Sequence, residues 1–489
     1  MWTLQQLFLG ILVCLFIFKY LKMKWEARSL PPGPSPLPLI GNLWTLNFCF
    51  HPDTLSKLAK HYGNTYTIWL GHTPMVVLNG YQAVKNALVS HSEELSGRPV
   101  ASFIQDITNG KGIASSNGHN WKQQRRFGLM TLRNLGLGKR GLESRIQEEA
   151  QCLVDSIRAT NGKPVDVSYL ITHAVANVIS AVVFGHRFSF DDISFQKLVA
   201  GNNLLTESIG TKWAKLYDAF PWLMQRVPGP HHKSFECKRL LDDFVRNEIR
   251  IHQENGTPEE PSDVIDHYLT QIRKASGEPG STFDEANMIQ VVDDLFVAGT
   301  ETTVTTLQWA LLLILGHPGI QRKMQKELDA VLDGQVICYE DRKKLPYTNA
   351  VIHEVQRYGS IASVGIPRSS ISNVTINGYP LKKDTIILPN LDSVLRDPQY
   401  WETPYKFNPN HFLDKDGKFV PSEAFLPFSA GHRVCLGEQL ARYELLIFLA
   451  TLVKAFNFQV PEDMTEVKTE HKSRLTSKPH QYKICAVPR

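Results

Sequence analysis

The chain has 489 residues, 43% hydrophobic and 21% charged, an ordinary globular composition with apolar material for a large core. Its net charge of +5 comes from dispersed basic residues, without the Lys/Arg runs of a nucleic-acid arm, so no nucleic-acid partner is expected. Seven cysteines stand singly, an odd number with no CxxC pair, which argues against a disulfide framework and a structural zinc site and for a reducing compartment around the main domain.

In chain order, Trp2 to Phe18 is mostly apolar, and Leu7 to Phe18 carries no polar side chain. At about 1.5 Å per residue this run reaches about 25 Å, enough for one membrane crossing if the flanks snorkel. Lys19, Lys22 and Lys24 follow it, the reverse of a cleaved signal, and leave the remainder cytosolic by the positive-inside rule. Residues 1–24 therefore read as a membrane anchor and 25–41 as a basic, proline-rich hinge around Leu30-Pro31-Pro32-Gly33-Pro34-Ser35-Pro36. Residues 42–489, free of linker-like stretches, read as one domain. The triplets Asn255-Gly256-Thr257 and Asn373-Val374-Thr375 are expected to carry no glycan on a cytosolic domain.

Thr65–Leu70 and Met75–Leu78 read as short strands closed by glycine-containing turns. Helical periodicity then dominates, over roughly 121–133, 141–158, 166–185, 192–208, 236–253, 262–274, 284–315, 318–332, 347–358 and 436–454, with strand patterns near 374–388 and 481–486. The fold class is mainly α with a minor β portion.

Inside the longest helical pattern lies Ala298-Gly299-Thr300-Glu301-Thr302-Thr303, where Gly299 and five threonines between 300 and 306 disfavour helix. Ala298 and Thr302 share a face. A small residue, Ala298 or Gly299, leaves room over a flat ligand, and a threonine hydroxyl bonded one turn back loosens the helix for water. Alone, the stretch more often means a helix packing through small residues.

Near the C-terminus runs Phe428-Ser429-Ala430-Gly431-His432-Arg433-Val434-Cys435-Leu436-Gly437. An apolar helical pattern (Leu436, Leu440, Tyr443, Ile447, Ala450) follows Cys435, so its sulfur sits at a helix N-terminus, where free N–H groups and the dipole lower a thiol pKa. Gly431 and Gly437 permit a tight turn close to a flat ring, Phe428 shields the sulfur, and Arg433 suits a carboxylate. Together these residue types suit an iron-bound thiolate.

This segment resembles the cysteine loop of the cytochrome P450 haem-thiolate monooxygenases, and further motifs of that family recur upstream in order, across essentially the whole chain. The resemblance implies the cytochrome P450 fold behind a single N-terminal transmembrane helix, with Cys435 as axial ligand of the iron of haem b. It implies that Ala298, Phe428 and Gly437 border the haem, that Thr302 hydrogen-bonds dioxygen and that Glu301 relays protons. Trp121 with Arg125, and Arg98, Arg368 and Arg433, match contacts to the haem propionates. Glu354 and Arg357 match a buried pair tied to Phe407–Phe412, where the broad family carries arginine at the position of His411 and the vertebrate microsomal branch often carries histidine.

Tyr347 to Arg357 looks most like the vertebrate microsomal family-two type, in its branch of fatty-acid epoxygenases and hydroxylases. The implied activity is NADPH- and O₂-dependent hydroxylation or epoxidation of lipophilic substrates, polyunsaturated fatty acids such as arachidonate and xenobiotics. Electrons would come from an NADPH-cytochrome reductase, with cytochrome b5 as a second partner, at the endoplasmic reticulum membrane. Lys122, Arg126, Arg133, Lys139 and Arg140 suit an acidic partner. The implied haem roof is Ser102–Ile113, Leu204–Phe220, Val297, Ile361–Ile366 and the turn near Leu475. Two rival readings are a reductase-independent haem-thiolate isomerase or dehydratase, separated by an NADPH requirement, and a tethered haem or lipid carrier, separated by product formation.

Overall fold

The computed structural model describes residues 4–136, 140–256, 258–332, 334–462, 464, 467, 469, 471–472 and 476–489. The first helices are α1 (Leu4–Glu26), α2 (Pro52–Tyr62), α3 (Tyr81–Lys85), α4 (Ser102–Thr108), α5 (Gly118–Asn134) and α6 (Arg140–Arg158). Next come α7 (Ser168–Val183), α8 (Ile193–Ile209), α9 (Lys212–Ala219), α10 (Pro221–Met224), α11 (His231–Glu254) and α12 (Val264–Lys274). The series ends with α13 (Glu285–Gly316), α14 (Pro318–Leu332), α15 (Pro346–Gly359), α16 (Leu391–Leu395) and α17 (Glu438–Ala455). The strands are β1 (Thr65–Leu70), β2 (Thr73–Leu78), β3 (Arg368–Ser369), β4 (Val374–Ile376), β5 (Tyr379–Leu381), β6 (Ile386–Pro389), β7 (Phe456–Gln459), β8 (His471–Lys472), β9 (Lys478–Pro479) and β10 (Cys485–Pro488). The chain is mainly helical with a small β portion, as its periodicity predicts.

Two compact units make up the chain. The first comprises Met1–Pro99, Ser363–Asp397 and Ser429–Val434. Its sheet has the order β1-β2-β6-β3, with β1 and β2 antiparallel (Thr65 opposite Leu78), β2 and β6 parallel (Met75 opposite Ile386) and β3 antiparallel to β6. A core of Leu55, Ala59, Tyr66, Ile68, Val77 and Leu388 lies between this sheet and α2. Helix α2 is missing from the sequence expectation although Pro52 at its first position and the His51 ring that accepts from the Asp53 N–H at 3.4 Å start it in the usual way. Its apolar face is only eleven residues long.

The second unit comprises Val100–Ala362, Pro398–Phe428 and Cys435–Arg489. Helix α13 is its axis, packed against α7, α11, α15 and α17. Val291, Val292, Leu307, Leu311 and Ile314 on α13 are fully buried, each contributing about 1.5–3 kcal/mol of burial free energy. A Cβ on Gly299 would lie 3.0 Å from the Ile179 side chain on α7, so Gly299 is there for close helix contact and the room expected of Ala298 or Gly299 falls to Ala298.

Among the described residues no single helix is long and apolar enough to cross a membrane; α13 and α14 pass together but are bent by 107° at their junction. Helix α1 does form, exposing Phe8, Ile11, Phe16 and Phe18.

Candidate functional site

Cys435 lies just ahead of α17, whose N-cap is Gly437 and whose first residue is Glu438. The Cys435 N–H donates to the Phe428 carbonyl at 3.1 Å, and the sulfur accepts from the N–H groups of Gly437 and Glu438. The side chain is accessible to water although protein surrounds it closely. Burial pushes the thiol pKa up, against the two N–H donors and the Arg125 guanidinium. The expectation of a lowered pKa therefore fails for the protein alone: desolvation exceeds the helix-terminus effect, and a cation at the sulfur is what would make the thiolate the stable form. Gly431 has φ +73° and a Cβ there would fall 1.9 Å from the Leu88 carbonyl oxygen. Gly437 differs: its φ is −90° and nothing stands within 4 Å of the missing Cβ, so the chain itself does not require glycine there.

On α13, Ala298 is exposed and Val297, Gly299 and Thr302 are half-buried, while Thr300, Glu301 and Thr303 are buried, so the Ala298–Thr302 face is the more open one. Thr302 Oγ1 donates to the Ala298 carbonyl at 2.7 Å, the back-bond expected of it, and Thr306 repeats the pattern onto Thr302 at 2.9 Å. Glu301 is buried and turned elsewhere: Oε1 accepts from Thr476 Oγ1 at 2.7 Å and pairs with Lys478 Nζ at 2.9 Å. Thr303 Oγ1 donates to Glu444 Oε2 of α17 at 3.0 Å, while Glu444 Oε1 is buried with no hydrogen-bond partner and burial pushes this carboxyl up to about 8. Sequence reasoning missed Glu444, although a glutamate four residues after Leu440 and three before Ile447 sits on the apolar stripe of its helix.

The predicted anion-binding arginines fall in both units. Within the first, Arg98 Nη1 donates to the Ile366 and Pro367 carbonyls (3.1 and 2.8 Å), Arg368 Nη2 to Ser429 Oγ and the Ala430 carbonyl (both 3.0 Å), and Arg433 Nε to the Ser96 carbonyl at 2.7 Å. The Gly97–Ser369 bridge draws these segments together, and Arg368 and Arg433 are buried, unlike ordinary surface arginines. Within the second, Trp121 is buried and Arg125 half-buried on α5.

Glu354 and Arg357 are fully buried and paired twice, Nε to Oε2 at 2.7 Å and Nη2 to Oε1 at 2.8 Å. Arg357 also donates to the Pro404 and Lys406 carbonyls, and Glu354 accepts from the Asn408 N–H. His411 completes the cluster, with Nδ1 3.2 Å from Glu354 Oε2 and Nε2 3.2 Å from the Thr403 N–H. A backbone N–H can only donate, so Nε2 is the acceptor and Nδ1 carries the ring proton. The cluster then holds one carboxylate, one guanidinium and one neutral ring: His411 supplies the hydrogen bond of an arginine without its surplus charge.

Two further residues, unread in the sequence, fix Phe428. Arg442 grips Glu438 with two nitrogens (3.0 and 2.8 Å) and lies 5.3 Å over the Phe428 ring. His353, among Phe412, Phe419 and Phe425, is held neutral by burial, its pKa near 4, and accepts from Arg442 Nη1 at 3.1 Å while Nδ1 donates to the Asn349 carbonyl. The Glu438–Arg442 spacing of four is the only sequence signal for this link.

Of the roof segments, α4 is tied to α9 by the Phe103 N–H on Asp218 Oδ1 at 2.8 Å and by Tyr217 OH on Asp106. Leu475 lies outside the described residues, as do Lys139 and the side chain of Arg140; Lys122, Arg126 and Arg133 are exposed on α5.

The accessible Cys435 sulfur and the Ala298–Thr302 face of α13 in the second unit, and buried arginines in the first, are residue types that suit a haem-thiolate protein. The chain belongs to the cytochrome P450 family, whose model matches residues 31–486. It is 42% identical over 485 residues to human (Homo sapiens) cytochrome P450 2J2, covering 99% of this chain and 96% of that one. It is 41% identical over 489 residues to cytochrome P450 2C25 of Mesocricetus auratus and 40% identical over 486 to human cytochrome P450 2C8, each covering 98% of this chain and 99% of the relative. It is thus a haem-thiolate monooxygenase that uses haem b and NADPH-derived electrons from a reductase.

Proposed function

We propose that Cys435 is the axial ligand, that Trp121, Arg125, Arg98, Arg368 and Arg433 hold the haem propionates, and that Gly437, Ala298 and Phe428 border the ring. The observation that carries this reading is the accessible Cys435 sulfur with two backbone N–H donors on it. Haem bound there supplies electron-transfer and dioxygen chemistry tuned by the thiolate. The chain's own part is to keep the sulfur fixed and shielded through Phe428, Arg442 and Glu438, to offer the Thr302 hydroxyl on the open face of α13, and to bring protons by way of Glu301. Glu354, Arg357 and His411 hold the segment before the cysteine loop.

The substrates in this reading are lipophilic, polyunsaturated fatty acids and xenobiotics, hydroxylated or epoxidised beneath a roof that includes α4 and α9. A membrane-bound flavoprotein reductase, with cytochrome b5 as a second donor, docks on the basic face of α5. Residues 1–24, most of which lie in helix α1, anchor the domain in the endoplasmic reticulum membrane, with residues 25–41 as hinge and 42–489 on the cytosolic side.

The test is the absorption spectrum of the dithionite-reduced protein with carbon monoxide, wild type against Cys435→Ser. The expected result is a strongly red-shifted Soret band lost in the variant; its absence from haem-loaded wild type would refute thiolate ligation.

A further inference from the structure

The Glu301 carboxylate lies one residue before Thr302 on α13 but is bound to a segment 175 residues downstream. Thr476 Oγ1 and Lys478 Nζ both reach Oε1, at 2.7 and 2.9 Å. Lys478 is in turn 4.0 Å from Glu207 Oε1 on α8. Exposure rises along this line, from 4% for Glu301 through 27% for Lys478 to 47% for Glu207, so the ammonium stands between solvent and a carboxylate shut inside the unit. Its place is fixed by its neighbour: the Ser477 N–H donates to the Ile361 carbonyl and the Ser477 carbonyl accepts from Trp309 Nε1, both at 2.8 Å, with Ser477 itself buried. Trp309 is eight residues beyond Glu301 on the same helix, so the clamp that positions Lys478 is built on the helix that carries its partner.

We propose that Lys478 is the solvent-side member of the proton path to the oxygen-handling helix, delivering protons to Glu301. This rests on the reading of Glu301 as a proton relay. In each delivery an Nζ–H bond breaks and an O–H bond forms on Glu301 Oε1, leaving a neutral amine beside a neutral acid. Glu301 passes its proton on towards Thr302, and the amine takes a replacement from solvent. Lysine suits this role and arginine does not, since a guanidinium keeps the charge but does not give up its proton.

The experiment compares Lys478→Arg, Lys478→Met and Glu301→Gln with the wild type in the full chain, each first shown to load haem by its carbon monoxide spectrum. Expected for both Lys478 variants are a drop in product formed per NADPH of about ten-fold, an enlarged solvent deuterium effect on kcat and a kcat that rises towards acid pH, with unchanged KM. Infrared spectroscopy separates charge from proton supply without turnover. A neutral-carboxyl stretch that Glu301→Gln removes should appear in Lys478→Met and stay absent in Lys478→Arg, because the buried carboxylate keeps a cation only in the latter. If Lys478→Arg matches the wild type in coupling and isotope effect, Lys478 is a charge partner only and the proposal falls. If Lys478→Met fails to load haem, Lys478→Arg still decides. If Glu301→Gln itself turns over like the wild type, the relay reading falls, and the inference with it; impaired Glu301→Gln with normal Lys478 variants overturns the inference alone.

Discussion

Glu444 is a carboxyl whose chemistry departs far from its ordinary behaviour. It faces Thr303 from α17 with one oxygen unbonded, and burial raises its carboxyl from the usual 4.5 to about 8. Between those values the folded protein holds a proton that the unfolded chain has released, so stability falls as pH rises, at up to about 1.4 kcal/mol per pH unit, and levels off above about 8. Glu444→Gln removes that dependence. In melts run from pH 5 to pH 9 the variant should gain on the wild type as pH rises; parallel curves would show that the carboxyl ionises freely in the folded state. Single residues were unevenly legible in the sequence. Cys435, Glu354 and Arg357 stand in spaced motifs, whereas Lys478 and His353 acquire meaning only from partners far along the chain, and no periodicity reports a partner at that distance.

The cysteine loop is the element in which two similar letters do different work. Gly431 is required by its positive φ and by the Leu88 carbonyl against it, while Gly437 has an ordinary φ and empty space above it. Gly431→Ala should leave little folded, haem-loaded protein. Gly437→Ala should melt within a few °C of the wild type in the haem-free form and lose haem faster, since in the proposed reading what its Cβ would meet is the ring; if the haem-free forms melt far apart, the glycine is structural after all. Long helices were legible because apolar periodicity persists over four or more turns in α6, α13 and α17. Short ones were not: α3, α10 and α16 have too few turns for a periodic signal, and tertiary packing rather than propensity holds them. The start of α17 lies two residues later than its apolar pattern because Gly437 takes the N-cap.

For the molecule as a whole, α1 is the part on which membrane attachment depends in the proposed reading. A chain lacking residues 1–24 keeps the whole segment matched by the family model, 31–486, and should retain the carbon monoxide spectrum while losing most of its sedimentation with microsomes. Undiminished sedimentation would place the attachment elsewhere. The fold class was legible from pattern alone; the division into two compact units was not, because each is assembled from three separated stretches and no composition change marks their borders. This interleaving has a genetic consequence. Strand β2 near residue 75 takes its parallel partner β6 from near residue 386, so a single recombination event between two related genes anywhere between those points would join one parent's strand to the other's. Hybrids would survive only where both parents share that register, which favours inheritance of the gene as an undivided block.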